Sequence, residues 1–240
     1  MNEAKIRERL SACGIPCDEE LAERLRCYFS LLLEWTERMN LTRITDEEES
    51  LDAHFVDSLM VVTVPKLIPN TGKIIDVGTG AGFPGMALAL ACPGLHVTLL
   101  DSLQKRLDFL AAVKESVEAK NVTLVHARAE DGARKKELRE QFDIATARAV
   151  APLAVLAEYL LPYVRVGGAA LCWKGPALMD EVTAGRRAAY LIGGQTEDAI
   201  PVSIPGRDWQ HSLLPIRKIR TTPTAYPRRA GLPSQKPLGT

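Results

Sequence analysis

A glycine-rich turn between Lys73 and Gly85 is the part of this chain best suited to binding a ligand. The segment reads KIIDVGTGAGFPG, an apolar run that leads into closely spaced glycines and a proline. This order predicts a strand, a tight turn and a helix, because proline is favoured in the first turn of a helix. The glycines Gly78, Gly80 and Gly82 would let a ligand approach the backbone closely.

The side chain at position 83 limits what that ligand can be. A dinucleotide fingerprint has a small third residue, which allows close packing of the helix beneath the pyrophosphate. Here Phe83 stands in that third position. A bulky ring favours an apolar wall beside a smaller ligand without phosphates, and it disfavours an NAD-dependent oxidoreductase.

Acidic residues follow the next two predicted strands. Asp101 ends the run HVTLLD, and an acid there could accept both ribose hydroxyls of an adenosine. Glu130 follows the third strand within ARAED, where it could meet an adenine edge. An adenosine site without a phosphate cradle predicts S-adenosylmethionine as the cofactor.

The pattern along the chain predicts a Rossmann-like α/β fold behind a helical front. Apolar residues at three- and four-residue steps predict helices over 3–12 and 18–39, and a capping box from Thr45 to Glu48 opens a third over 46–62. From residue 73 strands and helices alternate, which predicts a mostly parallel sheet covered on both faces. The predicted strands are 73–77, 96–100, 122–125, 142–147 and 169–173, and the helices between and after them are 84–92, 103–119, 152–161 and 177–190.

After residue 193 the pattern changes. Runs at 198–204 and 212–219 flank a Pro-Gly pair, which predicts an antiparallel hairpin that closes the sheet. The last twenty residues contain four prolines and little apolar material, so we expect an extended or mobile tail. The predicted division is a helical N-terminal extension packed on the main domain (1–64), the main α/β domain (65–220) and a basic, proline-rich tail (221–240).

Charge is unevenly distributed, although the whole chain is neutral with 30 basic and 30 acidic residues. Residues 1–60 carry a net charge of −7, and residues 207–240 a net charge of +6. The five cysteines are scattered without metal-like spacing, so we expect reduced thiols and no metal site. The sequence has no apolar leader and no membrane-length apolar run, which predicts a soluble, cytoplasmic protein without membrane contact; we also expect a monomer.

Six ordered motifs resemble those of the RsmG (GidB) family. They are NLT at 40–42, HFVDS at 54–58, DVGTGAGFPG at 76–85, DSLQKR at 101–106, RAE at 128–130 and TARA at 146–149, and the segment KIRTTPTAYPRR at 218–229 is similar to the tail of Gram-positive members. The resemblance implies a class I S-adenosylmethionine-dependent methyltransferase acting on N7 of a guanine in the 530 loop of 16S rRNA, in the small ribosomal subunit. It also implies cofactor contacts from Gly78, Phe83, Ala129, Glu130 and Arg148, with Asp101 at the ribose.

Guanine N7 suits the residues that follow the fourth predicted strand. N7 carries a lone pair and no proton, so its methylation needs alignment and no obligatory general base. The sequence ARAVAP at 147–152 lacks the polar acceptor and the aromatic residue of enzymes that methylate exocyclic amines. Carbon methylation would need a reactive cysteine, but Cys92 and Cys172 fall within predicted secondary structure. His54 and Asp57 have no proton to move in this reaction.

Two arginines are candidates for positioning the reactants. Arg148 ends a strand, where open α/β sheets bind their ligands. It could hold the cofactor's carboxylate, face guanine O6, or form an ion pair with Asp143 or Glu130. Arg128 leaves a similar choice open.

Basic residues late in the chain could bind RNA phosphates, with Tyr226 available for stacking. The candidates are Lys174, just past the fifth strand, and Arg217, Lys218, Arg220, Arg228 and Arg229 towards the end of the chain. A merely solvated tail is the alternative. Two other functions stay open, namely a small-molecule methyltransferase and a non-catalytic RNA-binding protein that retains a cofactor pocket.

Overall fold

Eight strands form one mixed sheet in the computed structural model, which describes residues 1–240. The strands are β1 (Gly72–Val77), β2 (Leu95–Asp101), β3 (Val122–His126), β4 (Phe142–Arg148), β5 (Val164–Lys174), β6 (Gly194–Thr196), β7 (Ile200–Val202) and β8 (His211–Lys218). Their order is β3-β2-β1-β4-β5-β8-β6, and β7 also pairs with β8. The order reverses between β1 and β4, where open α/β sheets form a ligand crevice.

The first five strands are parallel, as predicted. Val77 pairs with Leu100, and Asp76 pairs with Thr146 on the other side of β1. The carboxyl ends of β1, β2 and β4 therefore meet at one edge of the sheet. The connections are helical. Four of them lie at the predicted helices, namely α5 (Gly85–Ala91), α6 (Gln104–Ser116), α8 (Leu153–Leu160) and α9 (Leu178–Ile192), and the sequence pattern does not predict the short α7 (Ala129–Gly132).

The antiparallel strands after α9 contain the predicted hairpin and one strand more. β7 pairs with β8 through Ile200 and Leu213, and the unpredicted β6 pairs with the other end of β8. β8 also runs antiparallel to β5, so that Lys174 pairs with Ser212. His211, the first residue of β8, consequently lies at the same edge as the carboxyl ends of the parallel strands.

Two N-terminal helices cover one face of the sheet. They are α1 (Glu3–Ala12) and α2 (Glu19–Met39), whose N-caps Asn2 and Asp18 accept hydrogen bonds from the first turn of each helix. The apolar stripe of α2 is buried in one core with residues of the sheet and of α6. Tyr28 of α2, Phe83 of the glycine turn and Phe109 of α6 all belong to this core. No helix combines the length and apolar character that a membrane crossing requires.

The predicted helix over 46–62 is broken into four short pieces. They are α3 (Glu47–Ser50), a π-helical turn (Leu51–Val56), α4 (Asp57–Leu59) and a 3₁₀ turn (Met60–Thr63). The N-cap is Asp46, whose carboxylate accepts from the amides of Glu48 and Glu49, so the predicted capping box at Thr45 is wrong by one residue. A π-turn rotates the residues that follow it, a change of period that the sequence pattern does not reveal.

The tail is neither extended nor mobile, which corrects the prediction. Arg139 donates to the carbonyl oxygens of Thr222 and Tyr226, at 3.0 and 2.9 Å. The chain then forms a short helix, α10 (Leu232–Gln235), against α8. Arginine donors from the main domain therefore satisfy carbonyl groups of a segment whose Tyr226 and Leu238 also pack against the core.

Candidate functional site

The three glycines of the turn after β1 all adopt left-handed backbone conformations, with φ of 71°, 59° and 97° at Gly78, Gly80 and Gly82. Gly80 is open, since a Cβ there would find only one atom within 4 Å. Gly82 faces inward, and a Cβ would collide with the hydroxyl of Tyr28. Gly82 therefore serves the packing of α2, and its contact with the cofactor stays a prediction.

A buried carboxylate holds this turn in place. Asp76 accepts hydrogen bonds from the Thr79 hydroxyl at 2.6 Å, the Gly85 amide at 3.0 Å and the Thr146 hydroxyl at 2.9 Å. Burial raises the pKa of Asp76, and these donors act to lower it. Asp76 thereby ties the turn to the start of α5 and to β4. Asp76 stands within the glycine motif, but the spacing of that motif does not predict this role.

A cleft of about 740 Å³ opens at the carboxyl edge of the sheet, which is a size typical of small-molecule sites. Its lining includes the predicted residues Gly78, Gly80, Phe83, Asp101, Arg148 and Lys174. A smaller cleft of about 350 Å³ shares Gly78, Ser102 and Val150 with it. The smaller cleft is lined by Arg128, Ala129 and Glu130. The two clefts together bring the predicted residues to one place, except Gly82 and the five basic residues from Arg217 onward.

Asp101 lies at the junction with its side chain almost fully buried. Its carboxylate accepts from the amides of Gly80 and Leu103, both at 2.9 Å, and from the Arg106 guanidinium at 3.2 Å. A carboxylate offers about four acceptor positions, so capacity remains for a ligand hydroxyl. The buried, fixed carboxylate and the open glycine beside it fit the ribose of an adenosine.

The final part of the chain forms the outer wall of the smaller cleft. The amide of Gly231 donates to Glu130 at 2.7 Å, and the Ser234 hydroxyl lies 2.8 Å from that of Tyr159. Gly231 and Ser234 both line this cleft. We call residues 226–236 the C-terminal strap. Apart from its prolines, nothing in the sequence pattern indicates this strap.

Phe83 forms an apolar wall of the larger cleft, as its bulk predicts. Its ring stacks between Tyr28 and His54, with centroid distances of 5.2 and 5.0 Å. The Arg148 guanidinium lies over the same ring, 5.5 Å from its centroid. Phe83 therefore joins the N-terminal helices to the end of β4.

Arg148 is held by a partner that the sequence analysis did not identify. Its Nη1 donates to the Asp57 carboxylate at 2.9 Å and to the Ala53 carbonyl. The other oxygen of Asp57 lies 2.8 Å from Nδ1 of His211. The indole of Trp173 donates to the Asp57 carbonyl at 3.0 Å. The considered pairing of Arg148 with Asp143 or Glu130 is wrong, because Asp143 pairs with Arg165 and Glu130 accepts from the strap.

The protonation states in this cluster follow from burial and charge. Burial and the positive charge of Arg148 lower the pKa of His54 to about 4, so its ring is neutral. Burial acts to raise the pKa of Asp57, but the hydrogen bond from His211 and the Arg148 charge outweigh it and lower that pKa. The hydrogen bond to Asp57 raises the pKa of His211. The cluster is therefore a carboxylate between two donors.

The remaining reactive groups lie elsewhere. Burial in β5 raises the pKa of Cys172 to about 12, so its thiol is unreactive. Cys92 follows α5 and lines neither cleft. No three histidine, cysteine or acidic side chains come together in a way that could hold a metal ion.

Comparison with known proteins decides the family. The GidB family, described as rRNA small subunit methyltransferase G, matches residues 21–210. This chain belongs to that family. It is 45% identical to the ribosomal RNA small subunit methyltransferase G of Alkaliphilus metalliredigens, covering 97% of both chains. It is also 45% identical to the protein of the same name from Clostridium botulinum, covering 94% of both chains.

Solved structures agree on the fold. A 16S rRNA (adenine(1408)-N(1))-methyltransferase from Catenulisporales acidiphilia, solved with its cosubstrate S-adenosylmethionine, superposes with a TM-score of 0.52 at 17% identity. The match covers 63% of this chain and 87% of the other. The predicted class I methyltransferase fold is confirmed. As a GidB family member, the protein is an S-adenosylmethionine-dependent rRNA methyltransferase.

The residues predicted to bind rRNA differ in whether their charged groups can reach an RNA. Lys218 is fully buried, with its ammonium 3.0 Å from the Glu140 carboxylate and 2.8 Å from the Thr222 hydroxyl, so it cannot reach a phosphate. Arg228 is bound by the buried carboxylate of Glu158 through bonds of 2.7–3.1 Å. Both are corrections, because both side chains are bound to carboxylates of this chain and are not available to RNA.

Three of the other four basic candidates are exposed at the surface, and Lys174 is largely buried. Arg217 is exposed and pairs with Glu197 at 3.0 Å, and Arg220 is exposed and stacks on Tyr190. Arg229 is exposed without a side-chain partner. Lys174 lies at the cleft but forms a 2.6 Å ion pair with Glu181.

Proposed function

We propose that this GidB family member transfers the methyl group of S-adenosylmethionine to N7 of a guanine in the 530 loop of 16S rRNA. The observation that carries this choice of atom is the engagement of Asp57. Both of its carboxylate oxygens accept hydrogen bonds, one from Arg148 and one from His211. The same contacts lower the pKa of Asp57, which makes its carboxylate a weak general base, and N7 has an unprotonated lone pair that needs no base.

The cofactor fits the paired clefts with its adenosine end towards β2 and β3. Asp101 would accept from the ribose hydroxyls, and Ala129 and Glu130 would border the adenine, with the C-terminal strap outside them. The backbone of Gly78 and Gly80 would lie alongside the cofactor. When bound, the cofactor supplies an electrophilic methyl carbon on a positively charged sulfur.

The target base fits the opposite end of the larger cleft. Phe83 and Trp173 offer apolar walls there, and Arg148 offers a guanidinium donor fixed by Asp57. Methyl transfer forms one N7–carbon bond and breaks one sulfur–carbon bond, so the positive charge passes from sulfur to the guanine ring and no proton moves. Alignment of this kind can supply about 7–11 kcal/mol in favourable cases.

The exposed basic residues would position the rRNA around the cleft. Arg217, Arg220 and Arg229 retain surface, and Lys174 lies at the rim, so we propose these four as phosphate contacts. Arg128 is exposed beside the adenosine cleft and is proposed as a cofactor-side contact. We keep the division into an N-terminal extension (1–64) and a main domain as a proposal, with both lining the site.

The deciding experiment is methylation of purified 30S subunits with labelled S-adenosylmethionine, followed by mass mapping of the modified nucleotide. We expect one added methyl group on one guanine, removable by the depurination chemistry specific to N7-methylguanine. Methylation of a free metabolite with none on rRNA would favour the small-molecule alternative. A deletion strain whose rRNA carries the same modification as wild type would favour a non-catalytic RNA-binding protein.

A further inference from the structure

His211 lies at the mouth of the larger cleft with only one side-chain hydrogen bond. Its Nδ1 is 2.8 Å from Asp57, and it lines the cleft together with Arg148 and Trp173. The ring of Trp209 stacks on it at a centroid distance of 5.7 Å. The imidazole is therefore oriented from two sides, and its Nε2 has no partner within the protein.

The proton on Nδ1 follows from its partner. Asp57 is ionised and can only accept, so Nδ1 must carry the hydrogen of that bond. In the neutral ring Nε2 is then an acceptor, and in the protonated ring it becomes a second donor. One proton thus decides whether His211 offers a donor or a lone pair to whatever occupies the cleft.

We propose that His211 is a specificity-determining residue, whose Nε2–H donates to O6 of the target guanine beside the donor of Arg148. This inference rests on the proposed function. Guanine presents two acceptors, N7 and O6, on one edge, whereas adenine presents an acceptor and an amino donor there. A cleft with two donors at O6 accepts guanine and leaves both donors unpaired against adenine.

The same contact would align the reaction. N7 and O6 are neighbours on one edge of the base, so a base held through O6 presents its N7 lone pair in a fixed direction. Asp57 holds both Arg148 and His211, so it acts as a positioning residue for the two donors. Its two hydrogen bonds set their separation without touching the base.

The charges around His211 favour its protonated form. Asp57 from α4 and Arg148 from β4 face its ring, while His54 and Lys174 line the same cleft from the π-turn and β5. The hydrogen bond to Asp57 raises the pKa of His211 from its ordinary 6.5, against the opposing effects of burial and of Arg148. Since the raised pKa lies above 6.5, the donor form is present near neutral pH and is lost as pH rises.

The first test measures kcat/KM on 30S subunits from about pH 6 to about pH 9, bracketing the ordinary titration of histidine. We expect the wild-type value to fall as pH rises through the pKa of His211. His211→Ala should lose roughly 10-fold to 100-fold at low pH and lack this fall, as for a lost hydrogen bond to a charged group. His211→Gln, which keeps a neutral donor, should recover part of the loss.

Two controls separate this role from a structural one. Calorimetry should give the same S-adenosylmethionine affinity for wild type, His211→Ala and His211→Gln. His96→Ala, at an exposed histidine of β2 outside the cleft, should keep the wild-type pH profile. An unchanged pH profile in His211→Ala, or an equal loss of cofactor affinity, would overturn the inference.

The second test identifies the atom contacted. Reconstituted 30S subunits carrying 2-aminopurine at the target lack O6, and guanine subunits reconstituted in parallel are the reference. We expect 2-aminopurine to lower wild-type kcat/KM by more than His211→Ala lowers it on guanine, because the Arg148 donor loses its acceptor as well, and we expect no further loss when the two changes are combined. The same fractional loss from His211→Ala on both bases would rule out O6. Wild-type enzyme that leaves native 30S subunits unmethylated would instead refute the proposed function.

Discussion

Asp57 and Arg148 are 91 residues apart in sequence and are joined by a 2.9 Å hydrogen bond beneath the larger cleft. Asp57 comes from the broken helical region before the sheet, and Arg148 ends β4. The N-terminal extension is thus part of the site, since it supplies the anion that fixes an arginine of the main domain.

Removal of this anion should cost both stability and activity. Asp57→Ala leaves the largely buried Arg148 without its carboxylate, so we expect a loss of about 3–5 kcal/mol in the free energy of unfolding. Urea denaturation measures it, and Asp208→Ala, at an exposed acid of the loop before β8, is the control. The folded-state pKa of Asp57 lies below its ordinary 3.8, so its contribution is present above that pH and lost as pH falls through the lower value. Asp57→Ala should lack this loss of stability at acid pH. If the unfolding free energy of wild type and of Asp57→Ala fell equally steeply with falling pH, this prediction would be contradicted.

Neighbouring arginines of the strap should behave differently. Arg228→Ala leaves the buried carboxylate of Glu158 without its partner, and we expect the free energy of unfolding to fall by about 3–5 kcal/mol. Arg229→Ala should change that free energy little, because the Arg229 side chain is exposed. With the strap loosened, fewer molecules have a complete adenosine pocket, so S-adenosylmethionine affinity should fall by roughly 10-fold in Arg228→Ala alone. Thermal unfolding and calorimetry measure the two effects. Equal behaviour of the two variants would argue against the strap as a wall of the pocket.

The adjacent residues Arg217 and Lys218 give a matched pair for RNA binding. Arg217→Ala should weaken binding to 30S subunits and lower the salt slope by about 1, and Lys218→Met should leave both unchanged because its ammonium is buried. Filter binding across a salt series measures this. A reduced salt slope in Lys218→Met would show that its charge reaches the RNA after all.

Lys218 should also leave a signature in the pH dependence of stability. Burial lowers its pKa from 10.5 to about 8, although Glu140 acts to raise it. Between these two values the unfolded chain binds more protons than the folded one, so the unfolding free energy should rise with pH from about 8 to 10.5. Lys218→Met should lack that rise in denaturation experiments. A wild-type stability that falls over this window would contradict the assignment.

Asp101 should prove the main polar anchor of the cofactor. Asp101→Ala removes the proposed ribose acceptor and the acceptor of the Gly80 and Leu103 amides, so we expect S-adenosylmethionine affinity to fall by roughly 10-fold to 100-fold. Calorimetry measures this, with Asp108→Ala on the exposed face of α6 as the control. Equal affinity for Asp101→Ala and wild type would remove Asp101 from the site.

The sequence predicts what is local and repetitive in this protein. The parallel strands and their helices follow from hydrophobic periodicity. That Phe83 and Asp101 line the cleft follows from their positions, Phe83 in the turn after β1 and Asp101 at the end of β2. The partner of Arg148 could not be predicted, because the π-turn that delivers Asp57 changes the helical period by a single residue. His211 belongs to no motif, and only the antiparallel register of β8 brings it to the cleft.

The docking of the strap could not be predicted for a different reason. A proline-rich segment with positive charges has the composition of a solvated tail, and composition does not reveal a buried acid elsewhere that needs one of those charges. Glu158 lies within an otherwise apolar helix, α8, and nothing in the sequence indicates that it forms an ion pair with Arg228.

The position of the strap has a consequence for how the enzyme is made. The wall of the adenosine pocket includes Gly231 and Ser234, while the glycine turn that it faces is complete about 150 residues earlier in synthesis. A nascent chain can build its sheet through β8 and still have an open pocket, until residues 226–236 have emerged and Arg228 has met Glu158. The wall of the adenosine pocket is therefore among the last parts of the site to form, and its closure depends on the pairing of Arg228 with Glu158.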